Sequence, residues 1–188
     1  MPQTWTSDNS DAVSRLKIQY GTSLVYPPSS MGAHVSAVPN HQVHRHTSLR
    51  TRGYAAMSGN FGYELDLTAF SEQEKDEVRE QVKLFKEIRH LVQFGDLYRL
   101  RNPFEGTEAA WTIVSEDRSE AVLFYFRILS EANAPIVWLR TAGLDPEEDY
   151  RCLEDGNIYG GDRLMNAGLA VPPMPGDFQS FIWRLRRV

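Results

Sequence analysis

The order of apolar and polar positions divides this chain into two halves with different periods. Up to about residue 93, short apolar runs alternate with stretches of helical spacing. Ala12, Val13, Leu16, Ile18 and Tyr20 predict a short helix ending at Gly21. The polar residues 8–11 before it are good N-cap material. Residues 22–53 are dominated by Ser, Pro, His and Arg, with apolar pieces at 24–26 and 31–38. They predict a buried strand near 32–35 and then a long loop. Loops of that length in compact domains are usually functional or disordered. Residues 54–68 predict a second strand. In it, Ala55, Ala56 and Met57 lead into Ser58-Gly59-Asn60-Phe61-Gly62 and then Tyr63-Glu64-Leu65-Asp66-Leu67.

The strongest local signal comes next. Ser71 with Glu74 at N3 forms a capping box. Val78, Val82, Phe85 and Val92 keep helical spacing, with Leu84, Ile88 and Leu91 beside them. Acids fill the first turns and Lys83, Lys86, Arg89 and His90 the later ones, which complements the helix dipole. Gly95 ends the helix. Beyond it, strand-like runs recur at 96–101, 109–115, 121–129, 136–140, 149–153 and 178–188. Glu116-Asp117-Arg118-Ser119, Asp155-Gly156 and Gly160-Gly161-Asp162 read as turns. The predicted fold class is α+β: βα units over 1–93, then an antiparallel β-sandwich over 94–188. Parallel βα units are buried on both faces, and a few alone leave open edges. The expectation is therefore that this chain is the C-terminal part of something larger.

Composition narrows the function classes. The chain has 188 residues, 41% of them hydrophobic, which fits one large folded domain or one and a half. A net charge of −5 argues against general attraction to nucleic acid. The single cysteine, Cys152, excludes a disulfide framework and fits a reducing compartment. No apolar run approaches the ~20 residues of a membrane span. The opening residues are polar and carry no signal-peptide core. These features predict a cytoplasmic protein with no membrane partner, with export left open for a longer parent.

Candidate chemistry concentrates in Met1-Pro2-Gln3-Thr4-Trp5-Thr6-Ser7-Asp8-Asn9-Ser10-Asp11. A carboxylate there stands beside an aromatic ring, a hydroxyl and an amide, just before a helix. By local pattern alone, Asp8 reads first as a helix N-cap. Trp5 either lines a site or packs beneath it, and packing is the commoner role. Asn9 fixes the turn or orients Asp8. His41, His44 and His46 invite a metal reading, but no helix organises them and no cysteine joins them, so no metal is expected. Arg45, Arg50 and Arg52 read as a solvated or salt-bridged basic patch. His34, inside an apolar run, reads as a satisfied buried histidine. Residues 58–62 are glycine-rich without a phosphate-loop pattern, and Ser29, Ser30 and Ser180 have no visible base. The aromatics Trp111, Phe124, Tyr125, Phe126, Trp138 and Trp183 read as core of the β-module before they read as a sugar platform.

The run 2–11 resembles a hallmark of family 36 glycoside hydrolases, the bacterial and fungal α-galactosidases. Four further stretches are similar to the same family, in its order: Leu16-Lys17-Ile18-Gln19-Tyr20-Gly21-Thr22-Ser23, Ser30-Met31-Gly32-Ala33-His34-Val35-Ser36, Met57-Ser58-Gly59-Asn60-Phe61-Gly62-Tyr63-Glu64-Leu65-Asp66 and Gly176-Asp177-Phe178-Gln179-Ser180. The resemblance implies the end of a (β/α)8 barrel over 1–93, followed by the C-terminal β-domain. It implies a retaining hydrolase with two carboxylates, one nucleophile and one acid/base. Asp8 matches the family's acid/base, and Trp5 and Asn9 are the expected substrate-binding residues beside it. The family's nucleophile lies in a Lys-Trp-Asp motif that this sequence does not contain. Thr4 stands where an aliphatic residue is expected, and Ser10 where threonine is commoner. No cofactor is implied. The implied partners are α-galactoside oligosaccharides such as melibiose and raffinose, the missing N-terminal part of the parent, and copies of itself in a homo-oligomer. Two other readings stay open: a non-catalytic carbohydrate-binding or assembly module, and a relative that transfers galactose.

Overall fold

The computed structural model describes residues 3–188, so Met1 and Pro2 of the opening motif lie outside the described residues. The chain forms two compact units, Met1–Gln93 and Phe94–Val188.

The first unit is built from parallel strands, each followed by a helix. Thr4 makes a parallel bridge with Met31. Its amide donates to the Ser30 carbonyl at 2.6 Å, and its carbonyl accepts from the Gly32 amide at 3.0 Å. Strand β1, Gly32–Ser36, pairs in parallel with β2, Asn60–Glu64. Helix α1, Ala12–Thr22, precedes β1; α2, Leu49–Met57, lies between the strands; and α3, Glu72–Phe94, follows β2. Gln19 of α1 donates to the Ala55 carbonyl and to the Ser58 hydroxyl, both at 2.8 Å, which ties α1 to the end of α2. The predicted capping box of α3 is present. The Ser71 amide donates to Glu74 Oε2 at 2.9 Å, and the Glu74 amide to Ser71 Oγ at 3.3 Å.

Here the structure corrects the sequence reading. Residues 54–57 are helical, and the strand starts at Asn60. The loop expected up to residue 53 ends at Ser48, whose hydroxyl caps α2 by accepting from the Thr51 amide. Arg52 is buried, not solvated, and donates to the Ser36 carbonyl at 2.5 Å. Burial lowers its pKa, while the charges of Glu74 and Glu77 oppose the shift.

The second unit is an antiparallel sheet with strand order β3-β4-β5-β10-β7-β8. Its strands are β3 Asp96–Arg101, β4 Glu108–Val114, β5 Glu120–Arg127, β7 Asp149–Cys152, β8 Ile158–Gly160 and β10 Gln179–Arg187. One face buries Leu123, Tyr125, Tyr150, Trp183 and Leu185 against Leu139, Leu144, Leu164 and Leu169. Those four leucines belong to a thinner second layer, made of the pair β6 Trp138–Leu139 and β9 Leu169–Ala170, helix α4 Gly161–Asn166 and irregular chain. This layer is less regular than its sequence suggests. The strand expected over 136–140 spans two residues, and the turn expected at 160–162 opens α4. Gly168 has φ +87, and a Cβ there would stand 2.5 Å from the Leu139 carbonyl, so only glycine suits this turn. Cys152 is fully buried, and burial pushes its thiol up to about 11. No helix among the described residues is long and apolar enough to cross a membrane.

Candidate active site

The pleat of the parallel strands sorts side chains onto two faces. Ala33 and Val35 of β1, with Phe61 and Tyr63 of β2, pack against Leu49, Ala56 and Val78 from the helices. Gly32, His34, Ser36, Gly62 and Glu64 therefore share the opposite face. Trp5 lies on that face as well, its ring centroid 4.8 Å from that of His34 with the planes inclined by 39°. Two glycines make room for these rings. A Cβ on Gly32 would stand 3.2 Å from Trp5 Cε3, and one on Gly62 would stand 2.8 Å from His34 Cδ2.

Asp8 sits in the turn between the Thr4 bridge and α1 and is exposed. Its role as a helix cap is corrected. The cap is Asp11, whose Oδ2 accepts from the Ser14 amide at 2.9 Å. Asp8 Oδ1 instead accepts from the indole Nε1–H of Trp5 at 2.8 Å. Asn9 fixes the turn: its Oδ1 accepts from the Asp11 amide at 3.0 Å, and its own amide donates to Ser7 Oγ at 3.1 Å. Trp5 is 49% exposed, so no core within this chain covers it.

Two arginines hold this turn: Arg15, which sequence reasoning passed over, and Arg45, which it read as solvated or salt-bridged. Arg15 of α1 is buried and donates to the Gly32 carbonyl at 2.6 Å and to the Ser7 carbonyl at 3.4 Å. Burial lowers its pKa and the charge of Glu64 opposes the shift, but a guanidinium stays charged in either case. Arg45, in the loop after β1, pairs with Asp11. In the same region Asn40 Nδ2 reaches Ser10 Oγ at 3.4 Å, and Ser36 Oγ donates to the Ser10 carbonyl at 3.0 Å. The long loop thus has specific anchors on the Asp8 turn. Only its composition hinted at this, through polar residues that could serve as anchors.

His34 is not a satisfied core histidine. Its side chain is 23% exposed, and its Nδ1 is buried without a hydrogen-bond partner, 3.7 Å from Glu64 Oε2. The apolar run around it misled because only its odd positions face the helices. His41, His44 and His46 are exposed, and no group of three or more His, Cys, Asp or Glu among the described residues could hold a metal ion. In the second unit, Trp111, Phe124, Tyr125, Phe126 and Trp183 are buried, while Trp138 is 50% exposed.

The family model named Melibiase matches residues 1–95, and that of the glycosyl hydrolase family 36 C-terminal domain matches residues 108–185. Alpha-galactosidase AgaA of Geobacillus stearothermophilus is 65% identical over 188 residues, covering 100% of this chain and 26% of AgaA. Alpha-galactosidase Mel36A of Lactobacillus acidophilus is 46% identical over 187 residues, covering 100% of this chain and 25% of Mel36A. A crystal structure of a doubly substituted AgaA in complex with raffinose superposes with a TM-score of 0.97 at 64% identity, again over 100% of this chain and 26% of that one. The chain thus spans about a quarter of the length of these relatives. From its barrel-type strands to its antiparallel unit, the chain belongs to glycoside hydrolase family 36, the melibiases.

Proposed function

We propose that this chain is the C-terminal end of the catalytic barrel and the following β-domain of a retaining α-galactosidase. Asp8 is its general acid/base, and the nucleophile comes from residues outside this sequence. The observation that carries the reading is the Asp8 carboxylate itself. It is exposed in the turn that follows the parallel Thr4 bridge, free of capping duty, and held through one oxygen by Trp5. Barrel enzymes place catalytic groups at the C-terminal end of their strands. An indole N–H only donates, so Oδ1 is kept as the acceptor and Oδ2 is the oxygen that exchanges protons. The acid step protonates the leaving oxygen as the glycosyl-enzyme forms, and the base step deprotonates the incoming water.

The substrates proposed are oligosaccharides ending in α-linked galactose. The relatives support this, since AgaA structures are in complex with raffinose and with stachyose. Trp5 offers an exposed ring edge to such a sugar, while Asn9 acts by shaping the turn. Assembly with the remainder of the barrel supplies the walls of the site, and a homo-oligomer is the proposed state of the assembled enzyme.

The test is Asp8→Asn in the assembled enzyme. General acid–base catalysis contributes roughly 10²–10⁴-fold, so kcat/KM for raffinose should fall by about that factor. An aryl α-galactoside with a good leaving group needs less acid help and should lose much less in its glycosylation step. Azide, which needs no base, should restore turnover and yield the α-galactosyl azide. Equal losses on both substrates with no azide rescue would remove Asp8 from this role.

A further inference from the structure

We infer that His34, backed by Glu64, is a positioning residue that holds the Trp5 indole, and through it the Asp8 carboxylate, in the orientation needed for proton transfer. The inference rests on the proposed role of Asp8.

Four observations converge on it. Trp5 is half exposed in this chain, so within it the indole is held mainly by its contacts with His34 and Asp8. The His34 ring, at 4.8 Å, covers part of one face. Gly62 leaves the space that the imidazole occupies, where a Cβ would come within 2.8 Å. Glu64 Oε2 stands 3.7 Å from His34 Nδ1, a buried nitrogen with no hydrogen-bond partner. That separation is too long for a direct hydrogen bond but suits an electrostatic contact or a bridging water. The resulting path, Glu64 to His34 to Trp5 to Asp8, takes one side chain from each of two paired strands and two from the segment bonded beside them. Tilting the indole by even a small angle moves its N–H, and with it the oxygen that keeps the proton-bearing Oδ2 turned outward. Misplacement of about 1 Å costs on the order of 10²-fold in rate. His34 contacts Trp5 and not Asp8, so its effect is read through the step that Asp8 performs.

The experiment compares His34→Ala, His34→Phe, Glu64→Gln and Asp8→Asn in the assembled enzyme. Substrates are raffinose and an aryl α-galactoside with a good leaving group. For His34→Ala, kcat on raffinose is expected to fall at least about tenfold with KM nearly unchanged, and activity on the aryl substrate to be largely kept. His34→Phe, which retains a ring against Trp5, should recover most of the loss. Glu64→Gln should fall between the two. The indole N–H resonance of Trp5, assigned by its absence in Trp5→Phe, should shift in His34→Ala and return toward its original position in His34→Phe. Unchanged kcat in His34→Ala, or equal losses on the two substrates while Asp8→Asn still discriminates between them, overturns this inference alone. An Asp8→Asn variant that does not discriminate overturns the acid/base reading and this inference with it.

Discussion

One oxygen of Asp11 both caps α1 and pairs with Arg45, 34 residues further along the chain. The carboxylate is almost wholly buried, so a helix start and the loop after the next strand depend on the same atom.

Removing it should therefore cost more than a cap. Asp11→Ala is expected to destabilise by about 1–3 kcal/mol, since it removes the cap and one partner of the partly exposed Arg45. Asp11→Asn keeps a capping acceptor and should recover about 1 kcal/mol of that loss. Urea unfolding of the two variants checks this. A loss below about 1 kcal/mol for Asp11→Ala would reduce the pair to the strength of an exposed one.

Gly62→Ala tests the space beneath the imidazole. The backbone there tolerates a side chain, but the new methyl would press on His34 Cδ2. Overpacking of this kind costs roughly 1–3 kcal/mol. In Gly62→Ala combined with His34→Ala, the methyl meets empty space, so the double variant should lose less than the sum of the singles. Additive losses in thermal unfolding would show that the two positions do not compete.

Gln81 of α3 joins three elements. It is buried, its Oε1 accepts from the Tyr63 hydroxyl at 2.8 Å, and its Nε2 donates to the Leu49 carbonyl at 2.9 Å. Burial is also the main reason that the Tyr63 phenol is pushed well above its ordinary pKa. Gln81→Leu leaves the Tyr63 hydroxyl without this acceptor and takes one of the donors from the Leu49 carbonyl, and should cost about 1–3 kcal/mol. Adding Tyr63→Phe removes the orphaned hydroxyl and should return part of that. Denaturant midpoints of the single and double variants decide it, and a further loss on adding Tyr63→Phe would contradict the pairing.

The β4–β5 turn supplies a pH dependence. The hydroxyl of Ser115, then the amide and hydroxyl of Ser119, donate to Asp117 and lower its pKa from 3.8 to about 2. The folded state thus prefers the charged form more than the unfolded state does. Its stabilisation is complete above the unfolded value and is lost as pH falls toward about 2. Wild type should be more stable than Asp117→Asn near neutrality, and the gap should close over that acidic window. A gap that is constant with pH would assign the effect to shape alone.

Sequence legibility followed how each residue is buried. Helix α3 could be read because it has one apolar stripe and a capping box that depends on residues three apart. Helix α2 could not, because Thr51, Arg52, Gly53, Ala55 and Ala56 are all buried and leave no polar face to mark the period. Asp8 and Asp11 are chemically alike and three residues apart, so local pattern alone does not say which of them caps α1. The Ser14 amide, which donates to Asp11, does. The apolar run around His34 hid which residues share its face, because Ala33 and Val35 pack on the helices while Gly32 and His34 carry no charge to mark the other side. The ring that meets His34 comes from Trp5, 29 positions earlier, which no local pattern encodes.

The two faces of the pleat also divide the consequences of mutation. On β1 and β2, odd-numbered positions hold the helices and even-numbered ones face the candidate site. A substitution at 34 or 64 therefore leaves the packing made by 33, 35, 61 and 63 in place, while one at those four positions strikes the scaffold itself.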